Sequence, residues 1–197
     1  EDPALPRGID EQSLYHYLSF LVPPAPGTLF RGISKLPGGC LLRVSAEGQV
    51  SQERWYDVWN HVDPLRGIDE AEAADRVLAS LKTAVASRKV SDVPVGVFLS
   101  GGVDSSTNAA LFSDGESSPV KTFSIGYDDE YGTYTNELHH ARAMAETIGA
   151  EHHERRLSVD DLLGFVERMV WLQDEPIADP VCVPVHFVSK LARDNGV

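Results

Sequence analysis

A glycine- and serine-rich stretch near the middle of the chain reads Leu99-Ser100-Gly101-Gly102-Val103-Asp104-Ser105-Ser106. An apolar run over residues 95–99 precedes it and is long enough for a buried strand, and a helix is predicted to follow Asp104. Gly101 and Gly102 let the backbone turn tightly and leave no Cβ between the main chain and a ligand. The order of strand, glycine-rich turn and helix therefore predicts a loop that receives a ligand.

The chemistry of this loop suits a pyrophosphate group. The N-terminus of the following helix offers N–H groups and the positive end of the helix dipole, and Ser100, Ser105 and Ser106 add hydroxyl donors. The carboxylate of Asp104 would repel phosphate, which favours a divalent cation that bridges the two. The alternative is a purely structural turn of small residues. The segment matches neither the P-loop motif GxxxxGKS/T nor the dinucleotide motif GxGxxG.

Helix and strand patterns alternate from residue 69 onward. Strands are predicted over residues 95–99, 120–125 and 151–157. Helices are predicted from residue 69 with an apolar face of Val77, Leu81 and Val85, after Asp104, over residues 138–148, from residue 158 and over residues 183–195. Such alternation predicts an α/β fold in which a parallel sheet carries helices on both faces, with ligands beyond the carboxyl ends of the strands.

The first 60 residues are glycine-rich and predict short strands and turns instead. Residues 40–44 and a strand ending at residues 54–56 flank a turn over residues 45–48. We therefore expect residues 1–60 to form part of a small β-rich domain, residues 61–68 to be a linker, and residues 69–197 to belong to the α/β domain.

Composition argues against nucleic-acid binding and against a membrane-spanning helix. The chain has 197 residues with 17 basic and 30 acidic side chains, a net charge of −13 that argues against a nucleic-acid partner. No segment has the pattern of a membrane-spanning helix, because the uncharged stretch over residues 12–30 contains three prolines. Cys40 and Cys182 lie too far apart in sequence for a CxxC pair, and they favour an inert role in a reducing cytoplasm.

The SGGxDS string resembles the phosphate loop of the N-type ATP pyrophosphatases, and its flanks resemble the glutamine-hydrolysing asparagine synthetase family. The similar segments are Gly32-Ile33-Ser34-Lys35-Leu36-Pro37-Gly38-Gly39, Arg54-Trp55-Tyr56-Asp57, Phe123-Ser124-Ile125-Gly126, Gly149-Ala150-Glu151-His152-His153-Glu154 and Asp174-Glu175-Pro176-Ile177-Ala178-Asp179-Pro180. The resemblance covers nearly the whole chain. It implies the end of a glutaminase domain followed by the first half of an ATP-dependent synthetase domain.

The resemblance implies an AMP-forming carbon–nitrogen ligase that uses ATP and Mg²⁺. Aspartate would be adenylated on its side chain, pyrophosphate would leave, and ammonia from glutamine would displace AMP; a homodimer is a further expectation from the family. The implied ATP-binding residues are Leu99, Ser100, Gly101, Gly102, Asp104, Ser105, Ser106, Ile125 and Glu137, with Asp104 also a ligand of Mg²⁺. Leu99 and Ile125 are equally explained as buried strand residues, and Glu137 as an acid at a helix N-terminus.

The chain departs from the family pattern at several points. Gly38-Gly39-Cys40 stands where Pro-Gly-His is frequent, residue 1 is Glu rather than the nucleophilic cysteine, and the second acidic motif, SGEGADE or similar, is not in the sequence. We therefore expect the chain by itself to be inactive and of marginal stability, and we expect both ends to be cut from a longer protein. The catalytic residues stay unassigned, and a β-lactam-forming synthetase or a non-catalytic ATP-binding or interaction module remain alternatives.

Two further groups of residues are candidates for a metal site. The adjacent pairs His139-His140 and His152-His153 lack the spacing that places two zinc ligands on one helix face. Asp174, Glu175 and Asp179 are either an acidic cluster for Mg²⁺ or residues that shape a loop beside the site.

Overall fold

The structure of this chain is a computed structural model that describes residue 4 and residues 7–128 and 137–197. Two compact units emerge from its contacts: Glu1–Arg66 together with Arg168–Asp179, and Gly67–Glu167 together with Pro180–Val197. The first division falls inside the predicted linker, whereas the return of residues 168–179 to the first unit has no signal in the sequence. The assignment of the units to glutaminase and synthetase domains remains a prediction.

Three parallel strands form the sheet of the second unit, in the order β3 (Val97–Phe98), β4 (Lys121–Tyr127) and β5 (Glu151–Leu157). In this register Phe98 pairs with Phe123, and Phe123 pairs with His153. Strand β5 begins and ends at the predicted residues. Strand β3 is shorter than the predicted strand over residues 95–99: it begins two residues later, and it ends at Phe98 as the chain approaches the glycine-rich loop.

Helices cover both faces of this sheet, which confirms the predicted fold class. Helices α3 (Val103–Ser113) and α4 (Leu138–Thr147) lie on one face, where the buried residues are Leu99, Ala109, Ala141 and Ala145. Helix α6 (Cys182–Asp194) lies on the other, where Val188 and Ala192 pack on Phe123. The small alanines let α3 and α4 approach the sheet closely.

The remaining helices of this part of the chain are α2 (Glu70–Arg88) and α5 (Val159–Leu172), the latter shared between the units. The predicted caps are present: Asp69 accepts from the Glu72 N–H at 2.8 Å, and Ser158 and Asp161 cap each other reciprocally. The predicted apolar face of α2 is not buried, since Val77 is 59% exposed and no residue of α2 is buried. Its other apolar residues line an open cavity of about 340 Å³ beside Phe98.

The first unit contains a helix that the turn-rich sequence did not predict, α1 (Glu11–Phe20), whose first turn is capped by Asp10. The expected strands are present as the antiparallel pair β1 (Cys40–Val44) and β2 (Val50–Arg54), followed by a 3-10 turn at Val58–His61. In the part of the chain that is described, no helix is both long and apolar enough to cross a membrane.

Candidate functional site

The candidate site is the loop Leu99–Ser106 at the carboxyl end of β3. The loop leaves the sheet from a fixed point, because the Leu99 N–H donates to the Phe123 carbonyl at 2.8 Å and the Ser124 hydroxyl donates to the Leu99 carbonyl. Leu99 itself is 1% exposed. The strand thus holds the start of the loop rigidly, as a binding site on a scaffold requires.

Two serines close the loop on itself. The hydroxyl oxygens of Ser100 and Ser105 lie 2.8 Å apart, and the Ser105 hydroxyl accepts from the Ser100 N–H at 3.2 Å. The Gly102 N–H donates to the Ser100 hydroxyl at 3.3 Å. The Ser105 hydroxyl also donates to the Gly102 carbonyl at 3.2 Å. These hydroxyls therefore shape the loop, and their hydrogens would have to leave these partners to reach a ligand.

Gly101 is where the loop meets the start of α4. Its φ is +88°, a left-handed conformation that favours glycine. A Cβ at this position would lie 2.7 Å from Ala141 N, 2.7 Å from His140 Cβ and 3.1 Å from the Glu137 carbonyl oxygen. The structure therefore brings the main chain of Glu137, a predicted nucleotide contact, against the loop.

Gly102 borders open space on the other side of the loop. A Cβ there would meet only the Ser100 hydroxyl, at 3.4 Å. The first hydrogen bond of α3 runs from Ser106 N to Gly102 O at 3.0 Å, so the N–H groups of residues 103–105 precede the helical ladder. Amides at a helix N-terminus beside an open glycine suit the oxygens of a polyphosphate.

Asp104 lies exposed in the first turn of α3, and its role as a Mg²⁺ ligand remains a prediction. It supplies one carboxylate, and Mg²⁺ is commonly held by one or two carboxylates together with phosphate oxygens and water. Within the described ranges, no three His, Cys, Asp or Glu side chains are grouped as a metal site. The residues present therefore fit a cation held jointly with bound phosphates.

Leu99 and Ile125 pack into the core rather than toward each other. The Leu99 side chain contributes to the cluster under α3 and α4, whereas Ile125 packs against the cluster under α6, on the opposite face of the sheet. Their side chains thus have the environment of strand residues. Their contact with a nucleotide remains a prediction.

The histidine pairs occupy two different places. His139 and His140 lie in the first turn of α4 with ring centroids 3.8 Å apart. His152 lies on β5, where its Nδ1 is 2.9 Å from the Thr122 hydroxyl and burial lowers its pKa. His153 stacks on Phe123 with 5.4 Å between ring centroids.

A charged pair joins β5 to α4 beside His152. Arg142 donates two hydrogen bonds to the Glu154 carboxylate, at 2.8 and 2.5 Å. Hydrogen bonding from Arg142 lowers the pKa of Glu154, as expected for a bidentate guanidinium–carboxylate pair.

The acidic residues at 174, 175 and 179 do not form a metal cluster in the described residues. Glu175 instead pairs with Lys35 at 2.6 Å and accepts a hydrogen bond from the Leu29 N–H at 2.8 Å. The interpretation as loop-shaping residues therefore fits Glu175 better than that of a Mg²⁺ ligand.

Sequence reasoning missed two contributors to the loop. Ser124 had a weak signal, since it is a small polar residue in an otherwise largely apolar strand and bonds the end of β3. The contact of Gly101 with His140 and Ala141 had none, because at the start of α4 the sequence indicated only Glu137.

The asparagine synthase family model matches residues 76–197. The chain is 36% identical over 188 residues to a putative glutamine-hydrolyzing asparagine synthetase of Mycobacterium tuberculosis, a match that covers 95% of this chain and 28% of the relative. It is 30% identical over 187 residues to glutamine-hydrolyzing asparagine synthetase 1 of Bacillus subtilis, covering 95% and 28%. It is also 30% identical over 168 residues to the amidase chyE of Penicillium rubens, covering 77% and 24%. The chain thus spans less than a third of the length of these relatives.

Proposed function

The chain belongs to the asparagine synthase family, and from this premise we propose that its protein is a glutamine-hydrolysing asparagine synthetase. The observation that carries the proposal is the loop Leu99–Ser106, which is anchored to the sheet and open at Gly102 at the N-terminus of α3. The names of the relatives agree with this reaction class.

In this proposal the loop holds the β- and γ-phosphates of ATP. The N–H groups at the start of α3 and the hydroxyls of Ser100, Ser105 and Ser106 donate to the phosphate oxygens, and the helix dipole favours their negative charge. Asp104 would hold Mg²⁺, which supplies charge neutralisation when bound. The protein acts here through positioning and electrostatic stabilisation.

The proposed reaction has two steps. The side-chain carboxylate of aspartate attacks the α-phosphorus of ATP, forming an acyl–phosphate bond as the bond to pyrophosphate breaks. Ammonia released from glutamine then attacks the acyl carbon, AMP leaves, and asparagine forms. The proposal places the enzyme in the cytoplasm, where Cys40 and Cys182 would stay reduced, and includes a possible homodimer.

The test follows AMP and pyrophosphate release by the full-length protein with ATP, Mg²⁺ and glutamine. We expect both products when aspartate is supplied and little without it. Gly102→Val should abolish release, because its side chain fills the open face of the loop. Turnover with another carboxylic acid would change the substrate, and ring closure without ammonia would favour a β-lactam-forming enzyme. If AMP and pyrophosphate are released with none of the acids supplied, the proposal is contradicted.

A further inference from the structure

The segment between α5 and α6 is held against residues near the start of the chain by Glu175. Its Oε2 lies 2.6 Å from Lys35 Nζ, and its Oε1 accepts a 2.8 Å hydrogen bond from the Leu29 N–H. These partners are 140 and 146 positions away in sequence. Both oxygens of one carboxylate are thus used to join two distant parts of the first unit.

The Glu175 carboxylate is half-buried and carries a charge that Lys35 compensates. The Glu175 side chain is 17% and the Lys35 side chain 36% exposed, and Lys35 also donates to the Pro23 carbonyl at 2.9 Å. A largely buried charge is stable only when paired, and removal of one partner leaves the other uncompensated. A second contact, from Ala178 N to the Leu21 carbonyl at 3.0 Å, depends on the same course of the segment.

The path of the chain gives this contact a consequence beyond the first unit. The chain leaves the second unit within α5, and Arg168–Asp179 belongs to the first unit before the chain returns at Pro180. Helix α6 follows at once and packs through Val188 and Ala192 on Phe123. The carbonyl of Phe123 in turn accepts the hydrogen bond that anchors the start of the phosphate loop.

We propose that Glu175 is a positioning residue that couples the use of glutamine to synthesis at the phosphate loop. This inference rests on the proposed function, in which the first unit is part of the glutaminase and the second holds ATP. Glu175 contacts no substrate in this role. It fixes the only segment of the described chain, apart from residues near 66–67, at which the backbone crosses between the two units.

The experiment compares Glu175→Gln with Glu167→Gln in the full-length protein. Glu167 is an exposed carboxylate of α5 outside this segment and outside the candidate site, so the same Glu→Gln change matches the loss of charge. Pyrophosphate release with aspartate is measured with glutamine and, in parallel, with ammonium as the nitrogen source. For Glu175→Gln we expect the ratio of glutamine-supported to ammonium-supported rate to fall about tenfold, as a small misplacement can cause. Glu167→Gln should leave the ratio unchanged.

A second variant separates coupling from simple loss of structure. Lys35→Met leaves the Glu175 charge without its cation and should lower the same ratio. Equal loss with both nitrogen sources, or an unchanged ratio in both variants, would overturn the inference, since a merely structural role affects both reactions together.

A physical readout keeps the inference distinct from the proposed function. Amide hydrogen exchange over residues 21–35 should become faster in Glu175→Gln and stay unchanged in Glu167→Gln, and unchanged exchange in both would overturn the anchoring role. Absence of pyrophosphate release by the unaltered protein with either nitrogen source would contradict the proposed function itself. In that case the coupling role falls with it, while faster exchange would still support Glu175 as the anchor.

Discussion

Gly101 and Gly102 are neighbours in the phosphate loop, but a methyl group would meet different surroundings at the two positions. Gly101→Ala places a Cβ 2.7 Å from the Ala141 nitrogen at φ +88°, so we expect a loss of about 3 kcal/mol in the free energy of unfolding. Gly102→Ala has room, with φ −71°, and should change this free energy by less than about 1 kcal/mol. Urea unfolding followed by circular dichroism measures both.

Gly102→Ala should affect ATP binding more than it affects stability. Gly102→Ala puts a methyl group on the open face of the loop, so we expect weaker ATP binding in a protein that is nearly as stable as the original. Equal loss of stability at the two positions would show that the start of α4 does not pack against Gly101 as described.

Asp104 gives a prediction that separates the cation from the nucleotide. Asp104→Asn removes a ligand of Mg²⁺, and we expect the Mg²⁺-dependent gain in ATP affinity to fall by at least about tenfold, the scale on which even outer-shell partners of a metal act. Without Mg²⁺ the variant should bind ATP as well as or better than the original, because a carboxylate near phosphate is lost. Isothermal titration with and without Mg²⁺ tests this, and weaker binding in both conditions would contradict it.

At the scale of secondary-structure elements, the Arg142–Glu154 pair joins α4 to β5, and His152 lies beside this pair on β5. Among the described residues, His152 Nε2 is buried with no hydrogen-bond partner, and Glu154 Oε2 lies 3.8 Å away, too far for one. Burial lowers the pKa of His152, so the folded protein favours the neutral ring. The unfolded chain takes up this proton first as the pH falls.

The pH dependence of stability should therefore show two separate losses. Stability should decrease as the pH falls below about 6.5, the ordinary value for histidine, because His152 charges in the unfolded state before the folded one. A second loss should begin below about 4.5, because the pKa of Glu154 is lowered in the folded state by Arg142 and protonation breaks that pair. Thermal melts from about pH 8 to about pH 3 measure both.

Variants assign the first of these losses. His152→Asn keeps a polar atom near the Thr122 hydroxyl and removes the titrating ring, so the decrease that begins near pH 6.5 should flatten. His153→Asn removes the neighbouring histidine and should leave that decrease in place. The reverse assignment would show that the buried ring does not control it.

At the scale of the whole molecule, the discontinuous first unit makes a prediction about cleavage. Arg66 lies in an exposed stretch outside helices and strands, which is a preferred site for limited trypsin digestion. The two pieces should remain associated on a native sizing column, because Arg168–Asp179 belongs to the same unit as Glu1–Arg66. A denaturing gel confirms the cut, and pieces that separate on the native column would contradict the arrangement.

Local sequence determined much of this protein, because the relevant interactions span only a few residues. The caps at Asp69 and Ser158, the bounds of β5 and the strand–loop–helix order around Gly101 and Gly102 all follow from neighbouring residues. The alternation of these elements was enough to predict a parallel sheet with helices on both faces.

Which groups far apart in sequence come into contact depends on the tertiary structure. The packing of Gly101 against α4, the incomplete burial of the apolar face of α2, and the pairing of Glu175 with Lys35 depend on contacts between residues far apart in sequence. Helical or alternating periodicity reports which face of an element is apolar, but it carries no information about what covers that face. For a carboxylate such as Glu175, local sequence likewise cannot distinguish a solvated turn from a half-buried ion pair, since the partner lies 140 residues away.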